Sequence, residues 1–236
     1  MPRALQLSAT TLSLFQECPR CFWLHMRAGL KRPARPFPSI TGGIDRVVQG
    51  ECDRLRPAMP ATLYVALMEV ASMEVASQFS PCLMSPKVAY LRCTPGDIAL
   101  VGRLDDCLQY GAMVAPLDHK SRGSRPDPGY SAQYYQLQMD VYALLLQRNG
   151  YPVSEEAYLA YYYPLLTPGA LDAGGAMPFG CMVEVLPVSC VRAEACYQAA
   201  CTCLADDCPV VSAPDCAYCA WAMEITTYSL ASRLPA

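Results

Sequence analysis

The chain changes its hydrophobic period twice. From Ser8 to about Gly29, the apolar residues Leu12, Phe15, Phe22 and Leu24 recur at helical spacing behind a Ser8-Ala9-Thr10-Thr11 start that supplies an N-cap. The pattern predicts one helix running to Ala28-Gly29, where glycine ends it. Pro33 to Pro38 reads as a loop. Ile44 to Leu55 reads as a second helix with Ile44, Val47, Val48 and Leu55 on one side, and residues 61–79 as a third. The third contains a tandem Met-Glu-Val-Ala-Ser, at 68–72 and 73–77, too short to signal a repeat architecture.

The period then shortens. Val88 to Arg92, Ile98 to Leu104 and Met113 to Asp118 read as three strands, with a turn at Tyr110-Gly111 between the last two. Residues 130–148 return to a helix that ends at Asn149-Gly150. Ala157 to Tyr163 is a buried strand stopped by Pro164, Cys181 to Leu186 another strand, and Arg192 to Leu204 a last helix; the Pro/Gly-rich 164–180 segment between the two strands reads as a loop. Helices, a strand meander, a helix and further strands predict an α/β fold with a mixed central sheet.

Composition narrows the class. A chain of 236 residues, 53% hydrophobic, can bury one core and is not disordered. There is no run of 18 apolar residues, and Met1 to Ser8 lacks the apolar stretch of a signal peptide, so a cytoplasmic protein is expected. The net charge of −3 hides an asymmetry: residues 1–126 carry 15 Lys+Arg against 10 Asp+Glu, and residues 127–236 carry 3 against 11. Arg20, Arg27, Lys31, Arg32 and Arg35 form a basic stretch suited either to a phosphate backbone or to a solvated helix end.

Candidate chemistry begins with Gly102-Arg103-Leu104-Asp105, Leu117-Asp118-His119-Lys120 and a helix bearing Gln138 and Tyr142. In a strand, Asp118 and Lys120 face one space and His119 faces away. Asp105, from the preceding strand of the hairpin, reaches the same space, and Gln138 and Tyr142 share one helix face. Two carboxylates that hold Mg²⁺ or Mn²⁺ polarise a phosphate and acidify a bound water, while a lysine orients that water or neutralises developing charge. A chance Asp-x-Lys in a surface salt bridge is the plain alternative for any one of these pieces.

Of the 14 cysteines, Cys18 with Cys21 and Cys216 with Cys219 form two Cys-x-x-Cys pairs at opposite ends of the chain. Two such pairs complete a tetrahedral thiolate set, for zinc or for an iron–sulfur cluster, if the last segment returns to the first helix. Cys208 is an alternative third C-terminal ligand, with Cys21 then idle. Cys196, Cys201 and Cys203 read as helix residues, and Cys52, Cys82, Cys93, Cys107, Cys181 and Cys190 as buried or incidental.

Gly102–Asp105, Asp118–Lys120 and Gln138–Tyr142 together resemble the PD-(D/E)xK nuclease superfamily in its RecB-like branch, over about Leu7 to Cys219. The resemblance implies a restriction-endonuclease-like core in a single domain: a helical part at about 8–80, a catalytic core at about 87–188 and a C-terminal helix and cysteine segment at about 190–222. It implies that Asp105 and Asp118 are metal ligands, Lys120 is catalytic, and Gln138 and Tyr142 contact DNA or the active site. Relatives carry a histidine ligand on an early helix, where this chain has Asp45 after Gly42-Gly43-Ile44; Asp45 is either a third ligand or a helix cap. CRISPR-associated exonucleases of this branch fasten their termini around a [4Fe-4S] cluster with one cysteine before the fold and three after. This chain departs from them with two and two, and structural zinc is the alternative.

The implied activity is Mg²⁺- or Mn²⁺-dependent deoxyribonuclease action on single-stranded DNA ends, within a DNA-processing complex, with DNA entering along the basic N-terminal helices. Tyr134, Tyr135 and the Tyr161–Tyr163 run are candidates for stacking bases, with burial in the strand the plainer use of the last three. The alternative is a non-cleaving nucleic-acid-binding or assembly module on the same fold.

Overall fold

The computed structural model of the chain describes residues 5–33, 39–70, 82–83, 90–94, 96–165 and 177–231. The loop at 34–38, the second half of the expected third helix, Val88 and residues 166–176 lie outside them. The helices are α1 (Ala9–Glu17), α2 (Pro19–Ala28), α3 (Ser39–Leu55), α4 (Ala61–Val70), α5 (Tyr130–Arg148), α6 (Cys190–Ala205) and α7 (Ala217–Ala231). The strands are β1 (Gln6–Leu7), β2 (Cys82–Leu83), β3 (Tyr90–Cys93), β4 (Ala99–Arg103), β5 (Asp106–Tyr110), β6 (Met113–Ser121), β7 (Glu156–Pro164) and β8 (Phe179–Pro187).

The expected α/β fold with mixed sheets is present. Strands β2-β5-β6-β7-β8 form a five-stranded sheet, antiparallel except where β6 and β7 run parallel, and β1-β4-β3 form a smaller one. Parallel neighbours need a crossover, and α5 provides it. The chain passes from the small sheet to the large one between β4 and β5, at Leu104-Asp105. The strand read from Ile98 to Leu104 therefore breaks just before the acid it was expected to carry.

Strands β6 and β7 are buried along most of their length, and their alternation separates two cores. Leu159 and Tyr161 join Met139, Val141, Leu144 and Leu145 of α5. On the other face Ala115, Leu117, Tyr158, Ala160 and Tyr162 join Cys52 of α3 and Leu63 and Leu67 of α4. Gly102 of β4 lets α5 come close: a Cβ there would lie 2.5 Å from Leu145 Cδ1 and 3.4 Å from the Tyr142 ring. That glycine sets how near the Gln138–Tyr142 face stands to the strands.

Asp140, buried on α5, fixes the last layer. It accepts two hydrogen bonds from the Arg192 guanidinium, at 2.7 and 2.8 Å, and one from the Ser189 N–H at the start of α6, at 2.8 Å. The fork-to-carboxylate geometry favours one docking of α6 on α5.

Two helix expectations change. The first helix is two, broken at Cys18, whose extended backbone (φ −163°, ψ 108°) ends α1 and begins α2. Pro19 explains the break: it has no N–H for an α1 carbonyl, and it suits the first position of a new helix. Gly29, in the left-handed region at φ 68°, ends α2 as expected. The second helix starts at Ser39, ahead of Gly42-Gly43, and Val47 is 73% exposed and does not join the buried side. No helix among the described residues is long and apolar enough to cross a membrane.

Candidate active site and cysteine centre

Strand β6 holds Asp118 and Lys120 on the face that α5 covers. The Asp118 carboxylate is buried, and its Oδ1 accepts a 2.8 Å hydrogen bond from Gln138 Nε2. The same amide donates to Tyr142 Oη at 3.0 Å, and Tyr142 donates to the Arg103 carbonyl at 2.9 Å. Lys120 Nζ stands 2.5 Å from Asp118 Oδ2, 3.4 Å from Gln138 Oε1 and 4.5 Å from the centre of the Tyr135 ring. Asp118, Lys120, Gln138 and Tyr142 thus meet in one chain of contacts, each side chain oriented by the next.

Asp105 borders this group from the β4–β5 break. Its carboxylate accepts from the His119 N–H at 3.2 Å and from Gln49 Nε2 at 3.4 Å. It is near enough to Asp118 to disfavour a second negative charge there. Asp45 lies on α3, one turn before Gln49. Its Oδ1 accepts from Ser121 Oγ at 2.8 Å, and Ser121 alternates onto the opposite face of β6 from Asp118 and Lys120. Asp45, Asp105 and Asp118 do not form a set with their oxygens within 4.8 Å of one another.

Burial raises the Asp118 carboxyl, and Asp105 adds to the rise; Lys120 and His119 offset part of it, leaving a value of about 6. Asp118 Oδ2 is buried against the Lys120 ammonium, at 2.5 Å. A buried carboxylate beside a second carboxylate fits a hard divalent cation. Burial, Asp118 and Asp105 all push the Tyr142 phenol up, so it acts here as a neutral donor.

Behind β6 lies a second polar group that the sequence did not announce. His119 Nε2 contacts Asp106 Oδ2 at 3.0 Å and Cys52 Sγ at 3.9 Å, and His119 Nδ1 contacts Tyr162 Oη at 3.2 Å. Asp106 Oδ1 pairs with Arg56 at 2.5 Å. Burial opposes charge on His119, but the Asp106 carboxylate and Cys52 outweigh it and lift the imidazole to about 10. Asp106, His119 and Arg56 form one buried ion-pair network, with Cys52 at its edge and the Cys52, Asp106 and His119 ligand atoms within 4.8 Å of one another. The histidine fills the outer face of the Asp-x-Lys strand.

Cys18, Cys21, Cys216 and Cys219 converge: the last segment does return to the first helices. Sulfur separations are 3.8 Å for Cys18–Cys219, 3.6 Å for Cys21–Cys216 and 3.5 Å for Cys21–Cys219. Burial works against the Cys18 thiolate, but the Cys21 and Ala213 N–H groups and the neighbouring thiols bring it down to about 6. Burial pushes Cys21 and Cys219 up. So many thiols at this distance ionise together only around a cation. Cys208 is exposed and outside the set.

The basic N-terminal stretch is partly spoken for. Arg32 pairs with Glu17 at 2.5 Å, donates to Cys216 Sγ at 3.7 Å and lies over the Tyr218 ring, while Arg27 stands 3.9 Å from Asp207. Arg35 lies outside the described residues. At least two of the expected phosphate-binding cations thus serve the cysteine end of the molecule.

The fold is a PD-(D/E)XK-type core that brings Asp105, Asp118 and Lys120 to one face of β6. The chain matches the model of the PD-(D/E)XK nuclease superfamily over residues 45–223, and it belongs to that superfamily, whose activity is metal-dependent nucleic-acid cleavage. No curated protein matches it. Among solved structures it is similar to that of SSO0001, at 13% identity, covering 89% of this chain and 81% of that one with a TM-score of 0.38.

The Asp118 shift has a stability consequence. Its carboxyl titrates at about 6 in the folded chain and at about 3.9 when unfolded. The folded state holds the extra proton between those values, so metal-free stability declines as pH rises from about 4 through 6. Asp118→Asn removes that loss. Thermal or urea denaturation of metal-free protein at pH 7.5 should show Asp118→Asn more stable than the parent by roughly 3 kcal/mol, with the gap closing toward pH 4. A less stable variant at pH 7.5 contradicts this reading.

Proposed function

We propose that the protein is a metal-dependent DNA nuclease that hydrolyses phosphodiester bonds, acting on single-stranded ends. The observation that carries the reading is the chain of contacts from the buried Asp118 through Lys120 and Gln138 to Tyr142. Asp118 and Asp105 hold the ion. Asp45 joins them only by leaving Ser121. A bound Mg²⁺ or Mn²⁺ supplies Lewis-acid stabilisation and a water acidified toward neutral pH.

The chain's own residues do the rest. Lys120, held over the Tyr135 ring and against Asp118, presents its ammonium to the attacking water and to charge gathering on the phosphorus oxygens. Gln138 fixes the Asp118 carboxylate in one orientation, with Oδ2 turned to Lys120, and Tyr142 fixes Gln138. The alternative, a non-cleaving nucleic-acid-binding module, draws on Asp45 lying against Ser121 instead of beside the other acids. Incubation of a 5′-labelled oligonucleotide with Mg²⁺ or Mn²⁺ separates the two. Cleavage is expected from the parent, falling by roughly 100-fold or more in Lys120→Ala. Nucleic-acid binding without cleavage establishes the alternative.

For the cysteine centre we infer structural zinc in place of the [4Fe-4S] cluster that the resemblance implies. A tetrahedral ion with bonds of about 2.3 Å holds its sulfurs about 3.8 Å apart. A cubane seats each thiolate on a separate iron and spreads them to roughly 6 Å. The observed 3.5 to 3.8 Å matches the single ion. Protein purified anaerobically should carry stoichiometric zinc and no broad absorption near about 400 nm; an iron-dependent band there overturns the zinc assignment.

A further inference from the structure

Beyond the end of β6 the ladder to β7 continues for one residue: the Arg122 N–H donates to the Tyr162 carbonyl at 2.9 Å. Arg122 therefore keeps the alternation of Asp118 and Lys120 and turns to the same face. Helix α5 runs back over that face after the Pro126-Asp127-Pro128-Gly129 turn, with Gly129 in the left-handed region at φ 82°. The two elements meet rung by rung. Asp118 contacts Gln138, Lys120 lies over Tyr135, and the Arg122 guanidinium lies 3.9 Å from the centre of the Tyr130 ring.

Arg122 has a ring for a partner and no acid. Among the described residues it has no carboxylate within ion-pair distance, and its Nη1 is shielded from solvent with no hydrogen-bond partner. A guanidinium nitrogen stripped of water and left without an acceptor is unfavourable until an anionic oxygen reaches it. The Tyr130 ring holds the guanidinium plane and leaves its edge to donate. Successive same-face positions on a strand are about 6.6 Å apart, close to one nucleotide step of extended single strand. Arg125 follows, 5.7 Å from the Tyr163 ring.

We propose that Arg122, seated on Tyr130, binds the nucleic-acid phosphate next to the one cleaved at Asp118 and Lys120. The strand thereby enters along the β6–α5 ladder instead of the cysteine-bearing N-terminal helices. The inference rests on the nuclease reading and deepens it. Arg122 is a substrate-binding residue in this account, and the chemistry stays with Asp118 and Lys120.

Binding is read by fluorescence anisotropy of a labelled single-stranded oligonucleotide in an Asp118→Asn background, which is silent for cleavage, across a salt series. Arg122→Gln is expected to weaken binding roughly tenfold at low salt and to reduce the slope of log K against log salt by about 0.7, the loss of one phosphate contact. A single neutral methylphosphonate, walked along the oligonucleotide, should weaken binding at one position with Arg122 present and have no effect there with Arg122→Gln. Arg122→Lys keeps the charge and should keep the slope, so it decides the matter if Arg122→Gln melts lower. Equal binding and an equal slope with and without Arg122, while the parent still cleaves, overturns this inference alone. Failure of the parent to bind or cleave any single strand overturns the nuclease reading and this inference with it.

Discussion

Burying one carboxylate is the constraint around which the rest of the molecule is arranged. Asp118 lies in the middle of a strand covered on both faces, where its charge is disfavoured enough to raise its titration to about 6. Its neighbours orient it, and a cation there, as proposed, would stabilise the charge. Gln138 takes one oxygen and Lys120 approaches the other. Tyr142 ties Gln138 to the Arg103 carbonyl, and Gly102 lets the helix carrying both press against β4. The glycine, the two acids, the lysine, the glutamine and the tyrosine are thus parts of one packing problem.

The opposite face of β6 has its own electrostatic solution. Asp106, one residue after Asp105, is neutralised by Arg56 and by the His119 imidazolium. Adjacent acids at the β4–β5 break therefore serve different sides of the sheet: Asp105 borders the site, and Asp106 anchors the α3 side. The His119 charge is also felt by Asp118, where it favours the ionised form. A buried network of this kind favours one register of β6, and register decides which of its side chains reach the site.

The shared face of Asp118, Lys120, Gln138 and Tyr142 was legible in the sequence because strand alternation is strict. Asp118 and Lys120 had to share a face, and a helix had to bring Gln138 and Tyr142 to it. The same rule, run one step further, leads to Arg122, which lies past the apolar stretch that marked the strand. The break at Cys18-Pro19 was hidden because apolar positions continue at helical spacing on both sides of it. The roles of Cys52, Asp106 and His119 were unreadable, since nothing local in Asp-Cys or Asp-His-Lys says which charge a distant Arg56 will meet. Asp45 shows the limit of motif position: it occupies the expected helix, yet its partner is Ser121. The two Cys-x-x-Cys pairs predicted a meeting of the termini, and only the sulfur separations speak to what they hold.

The central claim is that Asp118 and its neighbours form a hard-cation site. It is tested most directly by titrating Mn²⁺ into the protein and following the free-ion signal by electron paramagnetic resonance, for the parent, Asp118→Asn and Cys216→Ser. The account predicts Mn²⁺ binding by the parent and by Cys216→Ser, whose thiolate centre does not favour this ion, and its loss in Asp118→Asn. Equal Mn²⁺ binding by the parent and Asp118→Asn would contradict it.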